Sequence, residues 1–155
     1  AQQCAHLTEK EIIVIPSKTV PQGITAMMNA DFECGDPQEM AQAMTASLAT
    51  VSTAQITYAA RDSDFDGFAI HQGDYLALRD GKLFGTDPDE NALLRSLAES
   101  AAQSDPSFLS LYYGEDVTEE QAAEASAIFQ AACPNAELSV LSGGQPVYYY
   151  IISVE

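Results

Sequence analysis

Residues Ser107–Ser142 read SFLSLYYGEDVTEEQAAEASAIFQAACPNAELSVLS, and this stretch decides the fold class. It predicts a strand, SFLSLYY, then a helix from Thr118 to about Ala132, and then a second strand, AELSVLS. Thr118 and Gln121 have the spacing of a capping box, which marks the start of the helix. Because strands joined through a helix cross over and can lie parallel, this unit predicts an α/β fold.

Upstream, the same reasoning predicts one more strand and several helices. The apolar run EIIVI (Glu11–Ile15) is typical of a strand buried on both faces. A helix is predicted from Pro21, because proline suits a first helical turn. Two further helix starts combine an N-cap acceptor, a proline and a carboxylate in the first turn: Asp36-Pro37-x-Glu39 and Asp87-Pro88-x-Glu90.

The middle of the chain is rich in β signals. AQITYAAR (Ala54–Arg61) predicts a strand, and an antiparallel ribbon is predicted from about Phe65 to Phe84. Asp80-Gly81 marks a hairpin turn within the ribbon, since both residues tolerate positive φ. The fold predicted is α/β, a mixed sheet with helices packed on it and a β-hairpin insertion near residues 65–84. Strand order stays open, and the last two strands, separated by GGQP, could pair or diverge.

Length and charge restrict the possible functions. A chain of 155 residues predicts one domain, 1–155. Its formal net charge of −17 repels phosphate backbones and anionic headgroups, so neither nucleic acid nor membrane insertion is expected. Cys4, Cys34 and Cys133 lack disulfide or zinc spacing and favour a cytoplasmic location. The start AQQCAHLTEK, without Met, favours a fragment of a longer protein.

Three motifs could carry chemistry, but each has a simpler interpretation. Asp62-Ser-Asp64-Phe-Asp66-Gly67 opens like a calcium loop, but Gly73 stands where a bidentate Glu belongs, which favours an acidic turn. Ser17-Lys18-Thr19 could hold an anion at a helix start, although a Thr-capped helix entry is favoured. Glu115 and Asp116 after Gly114 favour a turn over acid–base work.

Five segments, taken together, resemble one known family. They are VIPSKTVPQGITAMM (14–28), QITYAARDSDFDG (55–67), GDYLALRDGKL (73–83), YYGEDVTEEQA (112–122) and GGQPVYYYIISVE (143–155). In this order they resemble the C-terminal domain of the bacterial dihydroxyacetone-kinase-like proteins, the ATP-binding subunits of fatty acid kinase. The resemblance covers nearly the whole chain and implies a DegV-like fold.

The resemblance implies a non-catalytic docking and scaffolding role within an ATP-dependent kinase. ATP and magnesium would bind to an N-terminal domain outside this chain, so no catalytic residue, metal ligand or cofactor is carried over. The expected partners are a DegV-type fatty-acid-binding subunit, which would present the fatty acid for phosphorylation, and the parent's own N-terminal and middle domains. A homodimer is also possible. The candidate contact residues are Ser17, Lys18, Thr19, Gln22, Arg61, Asp62, Asp66, Glu115, Asp116 and Gln145.

Two alternatives remain open. One is a dihydroxyacetone-kinase-like domain that binds a small hydroxyketone, for which His71 is the available anchor; the other is a dimerisation module. Related DegV-type folds carry a histidine in the late glycine-rich loop, where this chain has Gly143-Gly144-Gln145-Pro146. That loop is therefore expected to be structural, with the tyrosines at 148–150 covering both faces of a strand at the sheet edge.

Overall fold

The computed structural model describes residues 8–65 and 67–155, except for the side chains of Phe65 and Phe68. The chain divides into two compact units, Ala1–Val51 and Ser52–Glu155. The single-domain organisation stays a prediction.

The first unit is helical. It contains α1 (Val20–Met28), α2 (Pro37–Ser47) and a 3₁₀ turn (Leu48–Thr50). Thr19 caps α1 by accepting from Gln22 N, and Asp36 caps α2 by accepting from Gln38 N, so both predicted helix starts are confirmed.

The strand predicted at Glu11–Ile15 is wrong. These residues form no strand in the structure and are exposed or half-buried. An apolar run specifies a strand only where a neighbouring strand accepts its hydrogen bonds, and none of the described strands pairs with it.

The second unit is built on a six-stranded mixed sheet. Its strands are β1 (Ser52–Tyr58), β4 (Tyr75–Arg79), β5 (Lys82–Asp87), β6 (Phe108–Tyr113), β7 (Glu137–Ser142) and β8 (Tyr150–Val154). Their order in the sheet is β5-β4-β1-β8-β6-β7. β6 and β7 are parallel, as their helical crossover predicts, and every other neighbouring pair of this sheet is antiparallel.

The ribbon predicted over residues 65–84 is two separate hairpins. β2 (Ser63–Phe65) pairs with β3 (Phe68–Ile70) in a small sheet of its own. β4 and β5 turn at Asp80 and Gly81, whose φ angles of 51° and 78° confirm the predicted Asp-Gly turn. The second hairpin belongs to the main sheet, so it is not an insertion. Alternating apolar residues indicated strands here but not which strands would be neighbours.

Helices α3 (Glu90–Ala102) and α4 (Glu119–Ala132) pack against each other and against the sheet. The core between these helices and the sheet includes Leu94, Phe129, Ile56, Leu111 and Ile152. The capping box of Thr118 and Gln121 is present at the start of α4. The predicted cap of α3 at Asp87 is wrong, because Asp89 accepts from Asn91 N while Asp87 accepts from Asp89 N just before the helix.

The C-terminal strand β8 lies inside the sheet, between β1 and β6. It does not pair with β7, so the segment that separates the last two strands diverges rather than forming a hairpin. All five residues of β8 are buried. The expectation that the tyrosines cover a sheet edge is therefore wrong, because their strand has a neighbour on each side.

Candidate functional site

The loop between β7 and β8, residues 143–149, lies over the turn that follows β6. Gly143 N and Gly144 N both donate to Tyr113 O, at 2.9 and 3.2 Å. Glu115 N donates to Gln145 O at 3.2 Å, and Gly114 N donates to Tyr149 O at 2.9 Å. The structure thus brings three of the predicted site residues, Glu115, Asp116 and Gln145, to one end of the sheet.

Gln145 holds this loop in place. Its Nε2 donates to Tyr112 O at 3.0 Å and to Tyr148 O at 3.3 Å. The side chain is half-buried, and its amide joins the loop to the end of β6. This agrees with the expectation that the glycine-rich loop is structural.

Main-chain atoms around position 114 leave no room for a side chain. A Cβ at this position would lie 2.7 Å from Gln145 O and closer still to Tyr148 O, and both are main-chain atoms. Only glycine allows the turn after β6 and the 143–149 loop to approach so closely.

Val147 has a strained backbone at the outer end of the loop. Its φ is 72°, a region that β-branched residues rarely adopt. Tyr148 N donates to Pro146 O at 2.8 Å, and Thr57 Oγ1 donates to Val147 O at 2.8 Å. The surrounding hydrogen bonds therefore maintain the strain, and the Val147 side chain is exposed. Strain of this kind concentrates at functional loops.

Three tyrosine rings lie beside the loop. The Tyr149 ring meets Tyr58 edge to face at 6.1 Å between centroids and meets Tyr75 at 5.5 Å with a tilt of 59°. Burial, followed by neighbouring tyrosines and carboxylates such as Asp116, raises the pKa of Tyr149. Tyr58 is partly exposed, so the rings connect the core to the surface.

Glu90, in the first turn of α3, is the most perturbed carboxyl of this region. Burial and then the Asp89 carboxylate raise its pKa. Its Oε1 is shielded from solvent and has no hydrogen-bond partner among residues 8–65 and 67–155, and the same holds for Thr86 Oγ1. An uncompensated carboxylate of this kind costs free energy, so the end of the sheet carries a local destabilisation.

The predicted residues of the first unit form a helix entry. Thr19 Oγ1 accepts from Gln22 N at 3.3 Å, and Gln22 Oε1 accepts from Lys18 N at 3.0 Å. Gln22 Nε2 also donates to Leu48 O at 3.4 Å. Ser17, Lys18, Thr19 and Gln22 therefore come together as a capped start of α1, the simpler of the two interpretations of this motif.

The remaining predicted residues lie at the turn after β1. Asp62 Oδ1 accepts from Gln72 N at 2.7 Å, which ties this turn to the one after β3. Arg61 is exposed beside it, and Asp66 lies outside the described residues. Across residues 8–65 and 67–155, no group of three or more His, Cys, Asp and Glu side chains is placed to hold a metal ion.

His71, the anchor for the hydroxyketone alternative, is exposed at a turn. Its Nδ1 lies 3.4 Å from Asp74 Oδ2, and its side chain is 75% exposed. A ring this open to solvent cannot shield a bound ketone from water, so the site gives this alternative no support. Cys133 is buried and Cys34 is half-buried, while Cys4 lies outside the described residues.

Sequence reasoning missed an exposed apolar face on α1. Val20, Met27 and Met28 are 62%, 72% and 80% exposed, and Ile24 lies between them on the same face. Phe32, just beyond the helix, is 84% exposed. The spacing 20, 24, 27, 28 is an amphipathic pattern that could have been found, and α1 contains no charged residue.

A protein family that comprises the C-terminal domains of FakA-like fatty acid kinase subunits matches residues 1–155. The chain belongs to this family. Protein YloV of Bacillus subtilis (strain 168) is 30% identical over 159 residues, and an uncharacterized protein of Staphylococcus aureus (strain USA300) is 32% identical over 157 residues. Both matches cover the whole of this chain, which spans 28% of the length of each relative. The resemblance seen in the sequence is confirmed.

Solved structures show that the fold is DegV-like. A DegV family protein from Corynebacterium glutamicum matches 99% of this chain and 67% of its own, with a TM-score of 0.67 and 15% identity. A fatty acid binding DegV family protein from Streptococcus agalactiae matches 86% of this chain and 54% of its own, with a TM-score of 0.54 and 11% identity. The predicted α/β, DegV-like class is confirmed. No helix among the described residues is long and apolar enough to cross a membrane.

Proposed function

We propose that this chain is a docking domain, through which the ATP-binding subunit of a fatty acid kinase engages a DegV-type fatty-acid-binding protein. Membership of the FakA-like family supports the kinase assignment. A solved Fatty Acid Kinase (Fak) B3 protein from Streptococcus pneumoniae is loaded with linoleic acid and shares the fold at a TM-score of 0.50 and 9% identity. The partner we propose is a protein of that kind, which presents its fatty acid for phosphorylation by ATP bound elsewhere on the kinase subunit.

The observation that carries the proposal is the exposed apolar face of α1. Burying one Met or Phe side chain gains about 1.5–3 kcal/mol, so an exposed stripe of such residues favours an interface. Methionine side chains also adapt to a partner's shape. α1 itself carries no charged side chain, although the chain has a net charge of −17. The predicted contact residues Ser17–Gln22 adjoin the apolar face.

The test is calorimetric titration of the chain with a DegV-type fatty-acid-binding protein loaded with fatty acid. We expect binding with a negative heat-capacity change, because apolar surface is buried. The double substitution Met27→Lys and Met28→Lys should weaken binding at least tenfold. The double substitution Gln42→Lys and Ala46→Lys, at exposed positions on α2, is the control for two added positive charges and should bind normally.

The same variants must be placed in the full-length kinase subunit, because its other domains could cover α1 instead. If the double variant binds the DegV-type protein normally in that context, the docking face is not α1. Kinase activity that is undiminished after deletion of this domain would contradict the docking role as a whole.

A further inference from the structure

We infer that the three tyrosine rings at the end of the sheet, those of Tyr58, Tyr75 and Tyr149, form a binding site for a guanidinium group. Such a group is carried both by the arginine side chain of a protein and by small molecules, and the last experiment distinguishes these two sources. The rings belong to the second unit and the proposed docking face belongs to the first. Either proposal can therefore fail without the other.

The strands place the three rings side by side. Tyr58 ends β1 and Tyr75 begins β4, and the two residues lie directly opposite each other in the antiparallel pair, so their side chains share one face of the sheet. Tyr149 precedes β8, where its N–H donates to Ile56 O and its carbonyl accepts from Gly114 N. Its ring contacts both of the other rings, at 6.1 and 5.5 Å between centroids. The three rings therefore form one cluster.

This cluster is open to solvent. Tyr58 is 45% exposed, and Tyr75 and Tyr149 are half-buried. The plane of the Tyr149 ring is inclined by 64° and 59° to the other two planes, so the rings cover less of each other's faces than stacked rings do. A cation within about 6 Å of the centre of such a face is attracted by the ring. The cluster therefore offers π-surface to a ligand.

Carboxylates from two elements face the cluster. Burial raises the pKa of Tyr75, and Glu90 and Asp89, at the start of α3, raise it further. Burial also raises the pKa of Tyr149, and Tyr75 and then Asp116, on the turn after β6, raise it further. These charges disfavour a negative phenolate, and the same field favours a cation at the rings.

Basic side chains of the chain do not neutralise this field. The sequence has six Lys and Arg against 23 Asp and Glu, and within residues 8–65 and 67–155 none of Asp89, Glu90 and Asp116 forms an ion pair. Glu90 Oε1 also has no hydrogen-bond donor within the same residues. A cation bound at the rings would therefore compensate charges that this part of the chain leaves unpaired.

A guanidinium group fits this combination better than a metal ion or an ammonium group does. Metal ions such as Ca²⁺ need several oxygen ligands around one point, and the described residues 8–65 and 67–155 hold no such group of side chains. An ammonium group is compact and strongly hydrated, whereas the planar guanidinium is weakly hydrated and stacks on aromatic rings. The rings offer faces for stacking, and the exposed carboxylate of Asp116 can accept two parallel hydrogen bonds.

Titration with N-acetyl-arginine amide tests the site. The chain has seven tyrosines and no tryptophan, so its intrinsic fluorescence reports on tyrosine, and NMR of the ring protons identifies which rings respond. We expect saturable shifts for the three rings of the cluster. N-acetyl-lysine amide should bind about threefold more weakly or worse, and N-acetyl-citrulline amide, which lacks the charge, should not bind.

Two results of this titration would overturn the inference. One is the absence of saturable shifts at the three rings. The other is equal binding of the arginine and lysine probes, which would show only general attraction of cations to a chain with a net charge of −17.

Substitutions separate the contribution of the rings from that of charge. Tyr58→Leu removes the most exposed ring of the cluster and should weaken binding of the arginine probe about fivefold, whereas Tyr58→Phe keeps the ring and should bind normally. Asp116→Asn should also weaken binding about fivefold. Glu120→Gln removes the same charge at an exposed position in the first turn of α4 and is the control. With native circular dichroism spectra throughout, normal binding by Tyr58→Leu would show that the rings are not the site.

Competition distinguishes the two sources of the guanidinium group. If the group is an arginine side chain of the DegV-type partner, N-acetyl-arginine amide should compete with that protein for the full-length kinase subunit, and Tyr58→Leu should weaken the complex. If it belongs to a small molecule, the complex should be unaffected while the probe still binds. This comparison alone rests on the proposed function: if the two proteins do not associate, the docking proposal fails and the probe titration still decides the ring site.

Discussion

The side-chain amide of Gln145 donates a hydrogen bond to the main-chain carbonyl of Tyr112 at 3.0 Å, across 33 positions of the chain. This bond attaches the 143–149 loop to the end of β6. Gln145→Glu keeps the size of the side chain and removes the donor. We expect a loss of about 1–2 kcal/mol in the free energy of unfolding, because the Tyr112 carbonyl loses its side-chain donor. Urea denaturation measures this loss in the free energy of unfolding.

The control for that substitution is Gln42→Glu, which adds the same charge at an exposed position within α2. It should change the free energy of unfolding by less than about 0.5 kcal/mol. Equal losses for both variants would show that added negative charge, and not the hydrogen bond of Gln145, is responsible.

Gly114→Ala should destabilise the same region by a different route. Its Cβ would meet main-chain oxygens of the 143–149 loop, including Gln145 O at 2.7 Å, and backbone gives way less easily than a flexible side chain. Overpacking of this kind costs about 1–3 kcal/mol. Gly85→Ala is the control, since its Cβ would lie 3.6 Å from Leu93 Cδ2, an ordinary contact. In thermal unfolding, Gly114→Ala should therefore have a lower Tm than Gly85→Ala. Equal Tm values for the two variants would contradict the geometry.

Local signals in the sequence predicted local structure well. The Asp80-Gly81 turn and the capping box at Thr118 both require only neighbouring residues, and both are present. Asp87 and Asp89 show the limit of such signals. They lie on either side of one proline and have the same side chain, so the sequence does not show which of them caps α3. The side chain that caps the helix is decided by where α3 leaves β5.

Features that depend on distant parts of the chain could not be predicted in this way. Glu11–Ile15 has the composition of a strand, but a strand also needs a neighbour. The candidate site combines residues 112–116 with 143–149, and its contacts arise only because β8 inserts between β1 and β6. The family resemblance supplied the DegV-like class, and the apolar face of α1 was readable from spacing alone.

Val147→Gly should stabilise the protein, although it removes a side chain. At φ 72°, an L-residue is strained by about 1–2 kcal/mol, which glycine avoids. Glycine also lowers the free energy of unfolding by about 0.5–1 kcal/mol, because it gives the unfolded chain more conformational entropy. The expected net gain in the free energy of unfolding is therefore about 0.5–1 kcal/mol. Val147→Ile keeps the β-branch and should leave the free energy of unfolding unchanged. Urea denaturation that shows Val147→Gly to be less stable than Val147→Ile would contradict the strain.

Glu90→Gln should stabilise the protein in a way that depends on pH. Burial, followed by Asp89, raises the pKa of Glu90 above its ordinary value of 4.5, so these effects outweigh the favourable field of the α3 N-terminus. The folded state therefore binds the proton more tightly than the unfolded chain does. Stability from this group is fully present below pH 4.5 and is lost as pH rises through the folded pKa.

Glutamine cannot ionise, so Glu90→Gln should avoid that loss. At about pH 8 we expect a gain of about 1 kcal/mol, or about 2–4 °C in Tm, because an unpaired, partly buried charge is removed. The gain should shrink as pH is lowered towards 4.5, as measured by thermal unfolding across this range. Glu99→Gln removes an exposed carboxyl from the same helix and is the control. A gain for Glu90→Gln that is constant with pH, or equal to that of Glu99→Gln, would show that burial does not raise the pKa of Glu90.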